Sequence, residues 1–312
     1  MITALAGGVG AARFLAGLLD VVDPLTVTAI VNTGDDDTFH GLTVCPDLDS
    51  VTYRLAGADN PETGWGLVGE TFTTMDALDR YGASTWFRLG DRDLATHLYR
   101  TERLQSGASL SEVTAEITAA WGLTLRVLPM SDDRVATRIT AIGAAGEHEY
   151  AMQEWFVRER SEPPVTRIEF SGAETARPAP GVLDAITNAD TIIVCPSNPL
   201  ISIGPILAVP GVRDALVAAR DRVVAVSPLI SGKTVKGPAD RMLTALGHEA
   251  SCVGVARMYA DWCSTIVVDT ADAQQIDAIE ALGLRAVATD TVMRDARVAA
   301  ALAQSTLAAV GS

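Results

Sequence analysis

Lysine is nearly missing from this 312-residue sequence: of 24 basic residues only Lys233 and Lys236 are lysine, and both fall in one loop. Cysteine is scarce too. Cys45, Cys195, Cys252 and Cys263 lie far apart with no CxxC spacing, so neither a zinc site nor a disulfide framework is expected, and buried free thiols are. The four histidines, His40, His97, His148 and His248, are dispersed, and no Ser/His/Asp or Cys/His order emerges from them. No run reaches the roughly 18 apolar residues of a membrane span, and the apolar N-terminus lacks a basic leader and carries glycines where a signal core would lie. A cytoplasmic protein without membrane contact is the expectation. Net positive charge is also absent: a formal charge of -15 and a pI near 4.6 repel polyanions, which argues against nucleic acid as a partner. Any anionic ligand must meet a local basic pocket.

What is present is enough apolar residue, 48% of the chain, to bury a large core. Ile2 to Ala6 reads as a short strand that stops at Gly7-Gly8-Val9-Gly10, after which Ala11 to Leu19 has helical spacing. A second strand, Thr26 to Val31, runs into Asn32-Thr33-Gly34-Asp35-Asp36-Asp37. Further strands are expected at Thr191 to Cys195, Arg222 to Val226, Ile266 to Val268 and Arg285 to Ala288, before an Ala-rich C-terminal helix. Strands alternating with helices predict an α/β fold with a parallel, helix-covered sheet. Residues 60–129 turn mainly helical, with helices near Thr71 to Tyr81, Leu94 to Leu104 and Leu110 to Trp121, and read as a cap inserted into a core of residues 1–59 and 130–312. The β-rich runs Arg138 to Ile142, His148 to Val157 and Val165 to Phe170 are expected to extend the sheet or form an edge hairpin.

Four sets of loops carry chemistry. The turn Gly7, Gly8, Gly10, Arg13 joins strand to helix, where glycines let backbone approach a ligand and free helix N–H groups meet an anion. Arg13 stands where a dinucleotide fingerprint needs its third small residue, so an NAD-dependent oxidoreductase is the weaker reading of this turn. In Ser231-Gly232-Lys233-Thr234-Val235-Lys236-Gly237, two compact ammonium groups suit a phosphate. Ser227 and Pro228 stand where a Walker A loop needs glycine and a smooth turn, which rejects an ATPase P-loop. Cys195-Pro196-Ser197-Asn198 follows a strand and leads into a helix start, a turn able to read a base or phosphate. Finally, three acidic loops, Asp35-Asp36-Asp37, Asp47 with Asp49, and Asp91 with Asp93, offer hard oxygen ligands of the kind that hold magnesium, although helix capping accounts for some of them.

Taken in order, GGVGAARFLAGL, NTGDDDTFHGLTVCPDLDS, WFRLGDRDLATH, QEWFVRER, CPSNPLISIGPIL and SPLISGKTVKGPAD resemble the 2-phospho-L-lactate transferase family, including its phosphoenolpyruvate-using branch, over nearly the full chain. The resemblance implies a Rossmann-like core with helices on both faces and an inserted cap, and a homodimer. It implies a transferase that passes a phospho-organic acid from a guanosine diphospho-organic acid donor to the deazaflavin Fo (7,8-didemethyl-8-hydroxy-5-deazariboflavin), releasing GMP, in coenzyme F(420) biosynthesis. On that footing Gly7, Gly8, Gly10, Arg13, Ser197, Asn198, Lys233 and Lys236 are expected at the nucleotide. Asp47 and Asp49 lead as magnesium (Mg2+) ligands, with Asp35 and Asp36 as ligand or base. Trp86, Asp91, Arg92, Asp93 and His97 are expected at the deazaflavin, with Trp86 or Trp155 stacking on its ring. Asp35-Asp36-Asp37 departs from the family pattern by offering three carboxylates where two are needed, so the ligand set is open by one residue. The competing expectation is a nucleotide-sugar-binding regulatory protein of the same fold without transferase activity; the paired CPDLD and GDRDLATH loops favour the enzyme.

Overall fold

The computed structural model describes residues 1–144 and 146–310. In chain order its strands are β1 (Ile2–Ala6), β2 (Val27–Val31), β3 (Asp37–Phe39), β4 (Leu42–Val44), β5 (Arg126–Pro129), β6 (Ala136–Gly143), β7 (Gly146–Ala151) and β8 (Val165–Ser171). They continue with β9 (Thr191–Val194), β10 (Val223–Val226), β11 (Leu229–Ile230), β12 (Lys233–Thr234), β13 (Thr265–Asp269) and β14 (Arg285–Thr289).

The short runs of small and β-branched residues form a seven-stranded parallel sheet in the order β14-β13-β10-β9-β1-β2-β5. Strands β2, β10 and β13 are buried along their whole length, which is why they read as continuous apolar runs rather than alternating ones. Their alternate residues serve two cores. Leu5, Ile30, Val194, Ala225 and Val268 pack beneath helices Val182–Asn188, Val212–Ala218 and Cys252–Tyr259. Ala4, Ala6, Val31, Ile193 and Val224 pack on the opposite face against α1 (Gly8–Leu19) and the C-terminal helix Ala296–Ala308. The expected α/β, Rossmann-like sheet with helices on both faces is thus what forms. Strand β1 sits between β2, which follows it, and β9, which returns some 190 residues later, so connections leave it on opposite sides. Such a reversal opens a crevice at the carboxyl edge of a parallel sheet.

The second helix, α2 (Pro46–Leu55), starts on Pro46 and carries Asp47 and Asp49 in its first turn, where proline's missing N–H is harmless and carboxylates meet the positive end of the dipole. Three cap helices follow, α3 (Thr73–Asp79), α4 (Asp93–Gln105) and α5 (Leu110–Ala120), the last opened by a Ser109/Glu112 capping box. The helical run is shorter than expected. Residues Arg126–Pro129 are the edge strand β5, paired from Thr28↔Arg126 to Val31↔Pro129, because Val127 and Leu128 bury themselves on opposite faces of the sheet. Nor do the β-rich runs after 136 extend the main sheet. They form a separate three-stranded antiparallel sheet, β7-β6-β8, with an irregularity at Thr140/Ala141. The run expected to continue to Val157 ends as a strand at Ala151; Glu154–Arg158 winds into a π-helical turn that buries Trp155. No single helix among the described residues is long and apolar enough to cross a membrane.

Candidate functional site

A cavity of about 500 Å³ opens in the crevice. Its walls are the loops leaving β1 (Gly7–Gly10), β2 (Asp35), β9 (Pro196–Asn198), β10 (Ser227, Pro228) and β14 (Thr291–Arg294), together with the start of α2 and the cap residues Phe87, Arg88 and Leu89. Every core loop in the set follows the carboxyl end of a parallel strand.

The glycine turn is built by contact. Gly8 holds φ +73, a left-handed conformation that strains any other residue, and α1 begins there without a side-chain cap or an acidic residue in its first turn. A Cβ on Gly10 would fall 2.5 Å from the Pro196 carbonyl oxygen, so glycine is what lets the β1 and β9 loops touch. Ser197 Oγ seals that contact by donating to the Gly7 carbonyl at 2.9 Å. Asn198 lines the cavity as well, while its Oδ1 accepts from the Leu200 N–H at 2.9 Å and caps the next turn.

Two cations face this turn. Arg13 and Lys236 line the cavity, and among the described residues neither has a carboxylate partner. Partial burial, and then the nearby Arg13 charge, hold the Lys236 ammonium below the usual lysine range. Lys236 Nζ donates to the Thr63 carbonyl at 2.6 Å. Lys233, expected beside it, points elsewhere: it is exposed and ion-paired with Asp240 at 3.2 Å, outside the cavity.

Four carboxylates reach the cavity, and they divide into two pairs. Both oxygens of Asp49 are gripped by the buried Arg100 guanidinium, and His97 Nδ1 lies 3.7 Å away. Asp93 accepts from the Tyr53 hydroxyl and sits 3.2 Å from His97 Nε2. Burial alone would raise Asp93, but the nearby His97 ring and the Tyr53 hydroxyl hold it below the usual range. Asp49, Asp93 and His97 offer ligand atoms within 4.8 Å of one another, yet Arg100 already neutralises Asp49, so the trio is compensated by the chain itself.

Asp35 and Asp47 have no such partner. Asp47 accepts from Asn32 Nδ2 at 2.9 Å and lies near the Gly8 N–H, and Asp35 keeps one buried oxygen with no hydrogen-bond donor. Burial, and then the Asp47 charge, raise Asp35 well above the carboxylate range; burial pushes Asp47 up to about 6. Uncompensated hard oxygens side by side, one of them orphaned, fit a divalent cation such as magnesium. Of the magnesium set expected from the sequence, Asp47, Asp49 and Asp36, only Asp47 lines the cavity without an ion-pair partner among the described residues. Asp49 is paired with Arg100, and Asp36 lies outside the cavity, lining with Asp35, Arg134 and Thr137 a small void, where burial raises it to about 8.

Of the residues expected at the deazaflavin, Asp93 and His97 line the cavity, whereas Asp91, Arg92 and Trp86 do not. Asp91 accepts from the Thr71 hydroxyl and from the N–H groups of Thr73 (2.8 Å) and Thr74 (2.9 Å), capping α3 rather than facing the cavity. Arg92 is exposed and staples the cap, its N–H bonded to Glu70 and its guanidinium to the Val68 carbonyl. Trp86 packs edge-on against Phe39 and Phe87, and it is Phe87 that lines the cavity. Trp155 is buried in the core of the small sheet and donates to the Pro163 carbonyl, so it cannot stack on a ligand. The sequence reading missed Tyr53, Trp65, Phe87, Arg100, Phe156 and the Thr291–Arg294 segment. For Tyr53 and Arg100 a signal existed: Asp49 and Tyr53 recur at i, i+4 on α2, and Asp93, His97 and Arg100 at helical spacing on α4, two polar stripes on helices that must meet.

The 2-phospho-L-lactate transferase CofD family model matches residues 2–307. A phosphoenolpyruvate transferase from Kitasatospora aureofaciens is 47% identical over 310 residues, covering 98% of this chain and 97% of its own. Proteins of the same name from Streptomyces griseus and Thermobifida fusca are 46% and 45% identical, over 98% and 97% of this chain and 97% and 95% of theirs. Among solved structures, a UPF0052 family protein from Bacillus halodurans aligns with TM-score 0.61 at 18% identity, covering 98% of this chain and 99% of its own, a likeness of fold alone. Model and relatives agree over essentially the whole length: this chain belongs to the 2-phospho-L-lactate transferase CofD family.

Proposed function

We propose that the chain transfers the phosphoenolpyruvyl group from a guanosine diphospho donor to the deazaflavin Fo and releases GMP, with magnesium as cofactor. The observation that carries this reading is one cavity holding two cations without acidic partners, Arg13 and Lys236, at a glycine-built helix start, and two carboxylates without basic partners, Asp35 and Asp47. The cations and free N–H groups suit the donor's diphosphate. Relatives named phosphoenolpyruvate transferase support enolpyruvate as the acid carried.

In this reading the terminal ribityl hydroxyl of Fo attacks the phosphorus that bears the organic acid. A new P–O bond forms as the bond from that phosphorus to the GMP phosphate breaks. The hydroxyl proton is taken by Asp35, which lines the cavity and keeps one buried oxygen without a hydrogen-bond donor. Arg13 and Lys236 hold the phosphate oxygens in line, so the departing GMP carries its charge toward fixed positive groups. Asp35 and Asp47 would also hold magnesium, which when bound supplies positive charge for phosphate oxygens. Phe87, Trp65 and Phe156 give the mouth the apolar walls that a flat tricyclic ring needs.

The test is to incubate the protein with magnesium, Fo and guanosine diphospho donors carrying enolpyruvate, lactate or glycerate. GMP and a new acidic deazaflavin are expected, fastest with enolpyruvate. No product with any of the three sinks the reading.

A further inference from the structure

Residues 60–66 form a small closed loop lying across the anion end of the cavity. Its neck is tied by the Asp59↔Leu67 bridge and by the Val68 N–H bonded to the Ala58 carbonyl at 2.9 Å. Inside the loop, Asn60 N–H reaches the Gly66 carbonyl at 3.0 Å, Gly64 N–H the Asn60 carbonyl at 2.8 Å, and Glu62 N–H the Asn60 side chain at 3.0 Å. The loop is therefore a unit with its own hydrogen bonds. Its contacts with the nucleotide turn are few and specific. Lys236 Nζ donates to the Thr63 carbonyl, the one hydrogen bond from residues 60–66 to the core among the described residues. A Cβ on Gly64 would lie 3.1 Å from that Nζ and 3.2 Å from Val9 Cγ1, so the tip rests directly on Lys236 and on the glycine turn. Beside it, Trp65 lines the cavity while remaining 50% exposed.

An ammonium has three donors and no acceptor. Lys236 spends one on Thr63 and keeps two; among the described residues it has no carboxylate to satisfy them, and it stands on the same cavity wall as Arg13, which among them has no partner either. We infer that Lys236 is a positioning residue that couples donor binding to closure of the 60–66 loop: its ammonium bridges a phosphate oxygen of a bound nucleoside diphosphate and the Thr63 carbonyl, seating Trp65 over the ligand. This rests on the reading of the cavity as a guanosine diphosphate site. Before the donor binds, a single neutral-acceptor hydrogen bond on an exposed lysine holds the loop, and it opens readily. With phosphate in place the ammonium is fixed from both sides, and the loop shields the diphosphate from water.

Hydrogen exchange of the full chain with and without saturating GDP tests this, in the wild type, in Lys236→Met and in Gly64→Ala. In the wild type, GDP is expected to slow exchange of amides in both 7–13 and 60–66, the latter by about ten-fold. Lys236→Met leaves the glycine turn and Arg13, so GDP at saturation still protects 7–13 but no longer 60–66. Gly64→Ala, whose φ of +75 and added methyl wedge the tip off Lys236, gives the same split with Lys236 intact. Protection of 7–13 without protection of 60–66 in the wild type overturns the coupling alone, as does full loop protection in Lys236→Met. Absence of any GDP protection, at 7–13 as well, refutes the donor site and the coupling with it.

Discussion

Replacing Asp47 by asparagine removes a charge and almost no volume from the cavity floor, and its expected effects on stability and on turnover have opposite signs. In the metal-free protein Asp47 is buried beside Asp35, and burial raises its carboxyl from 3.8 to about 6. A carboxyl whose proton is held more tightly in the folded state contributes its full stability below pH 3.8 and loses it as pH rises through about 6. At pH 8 the ionised side chain therefore disfavours the folded state by about 3 kcal/mol. Asparagine avoids this while its Oδ1 still accepts from Asn32 Nδ2. Asp47→Asn should then be roughly 1–3 kcal/mol more stable than the wild type at pH 8 in chelator, a rise in unfolding midpoint of about 2–6 °C for a chain of this size, with little difference at pH 4. Magnesium should raise the midpoint of the wild type and leave the variant's unmoved, since only a ligand bound to the folded state stabilises it. Turnover should fall to roughly a hundredth or less. Thermal and urea unfolding at pH 4 and 8, each with chelator or magnesium, measures all of these but the last, which the GMP-release assay gives. A variant less stable than wild type at pH 8 without metal, or one that magnesium stabilises as much, would show that Asp35 and Asp47 are not an uncompensated pair.

Three further outcomes are expected. Asp36, raised to about 8 by burial and set apart from the cavity, makes the wild type lose stability progressively from pH 4 to about 8, so the advantage of Asp36→Asn should grow over that range and level off above it; a pH-independent difference in urea midpoints contradicts this. Arg100→Met strands the buried Asp49 carboxylate and should cost about 3–5 kcal/mol of stability, with Asp49→Asn in the same chain restoring part of it; a loss under about 1 kcal/mol refutes the pairing. Arg13→Ala should weaken GDP binding by about 10–100-fold in calorimetry without changing the unfolding midpoint of the free protein, because among the described residues Arg13 has no hydrogen-bond or ion-pair partner to lose.

The difference between what the sequence specified and what it left open follows from the range of the interactions involved. The strands Ile2–Ala6, Val27–Val31 and Val223–Val226 fall within a residue of where apolar runs and glycine breaks put them, because burial on both faces of a parallel sheet demands uninterrupted small and branched residues. The Gly7–Gly10 turn is similarly local. Strand β5 was hidden inside an apparent helical insert because four residues give no periodicity, and only pairing with β2 makes Arg126–Pro129 a strand.

The carboxylates show the same limit at the level of chemistry. On the sequence Asp47 and Asp49 led as ligands with Asp35 and Asp36 behind them, but only through the family resemblance; nothing within a few residues of any of the four separates their chemistry. Separation comes from Arg100, 51 positions beyond Asp49, which α4 carries into the space beside α2 and which neutralises one carboxylate outright. It comes also from the loop after β2, which puts Asp35 into the cavity with Asp47 and leaves Asp36 outside it. Metal affinity depends on which acidic groups remain without a cation after folding, so it is a property of the residual charge and not of the motif. On the proposed magnesium site this is why Asp35, rather than Asp49, stands beside Asp47, and reversing the sign at Arg100 is the substitution that should change which pair attracts the metal: Arg100→Glu frees Asp49 and adds a carboxylate beside Asp93 and His97. If that variant folds, magnesium should stabilise it at pH 8 even in an Asp47→Asn background; no stabilisation there would mean that geometry, rather than residual charge, selects the ligands.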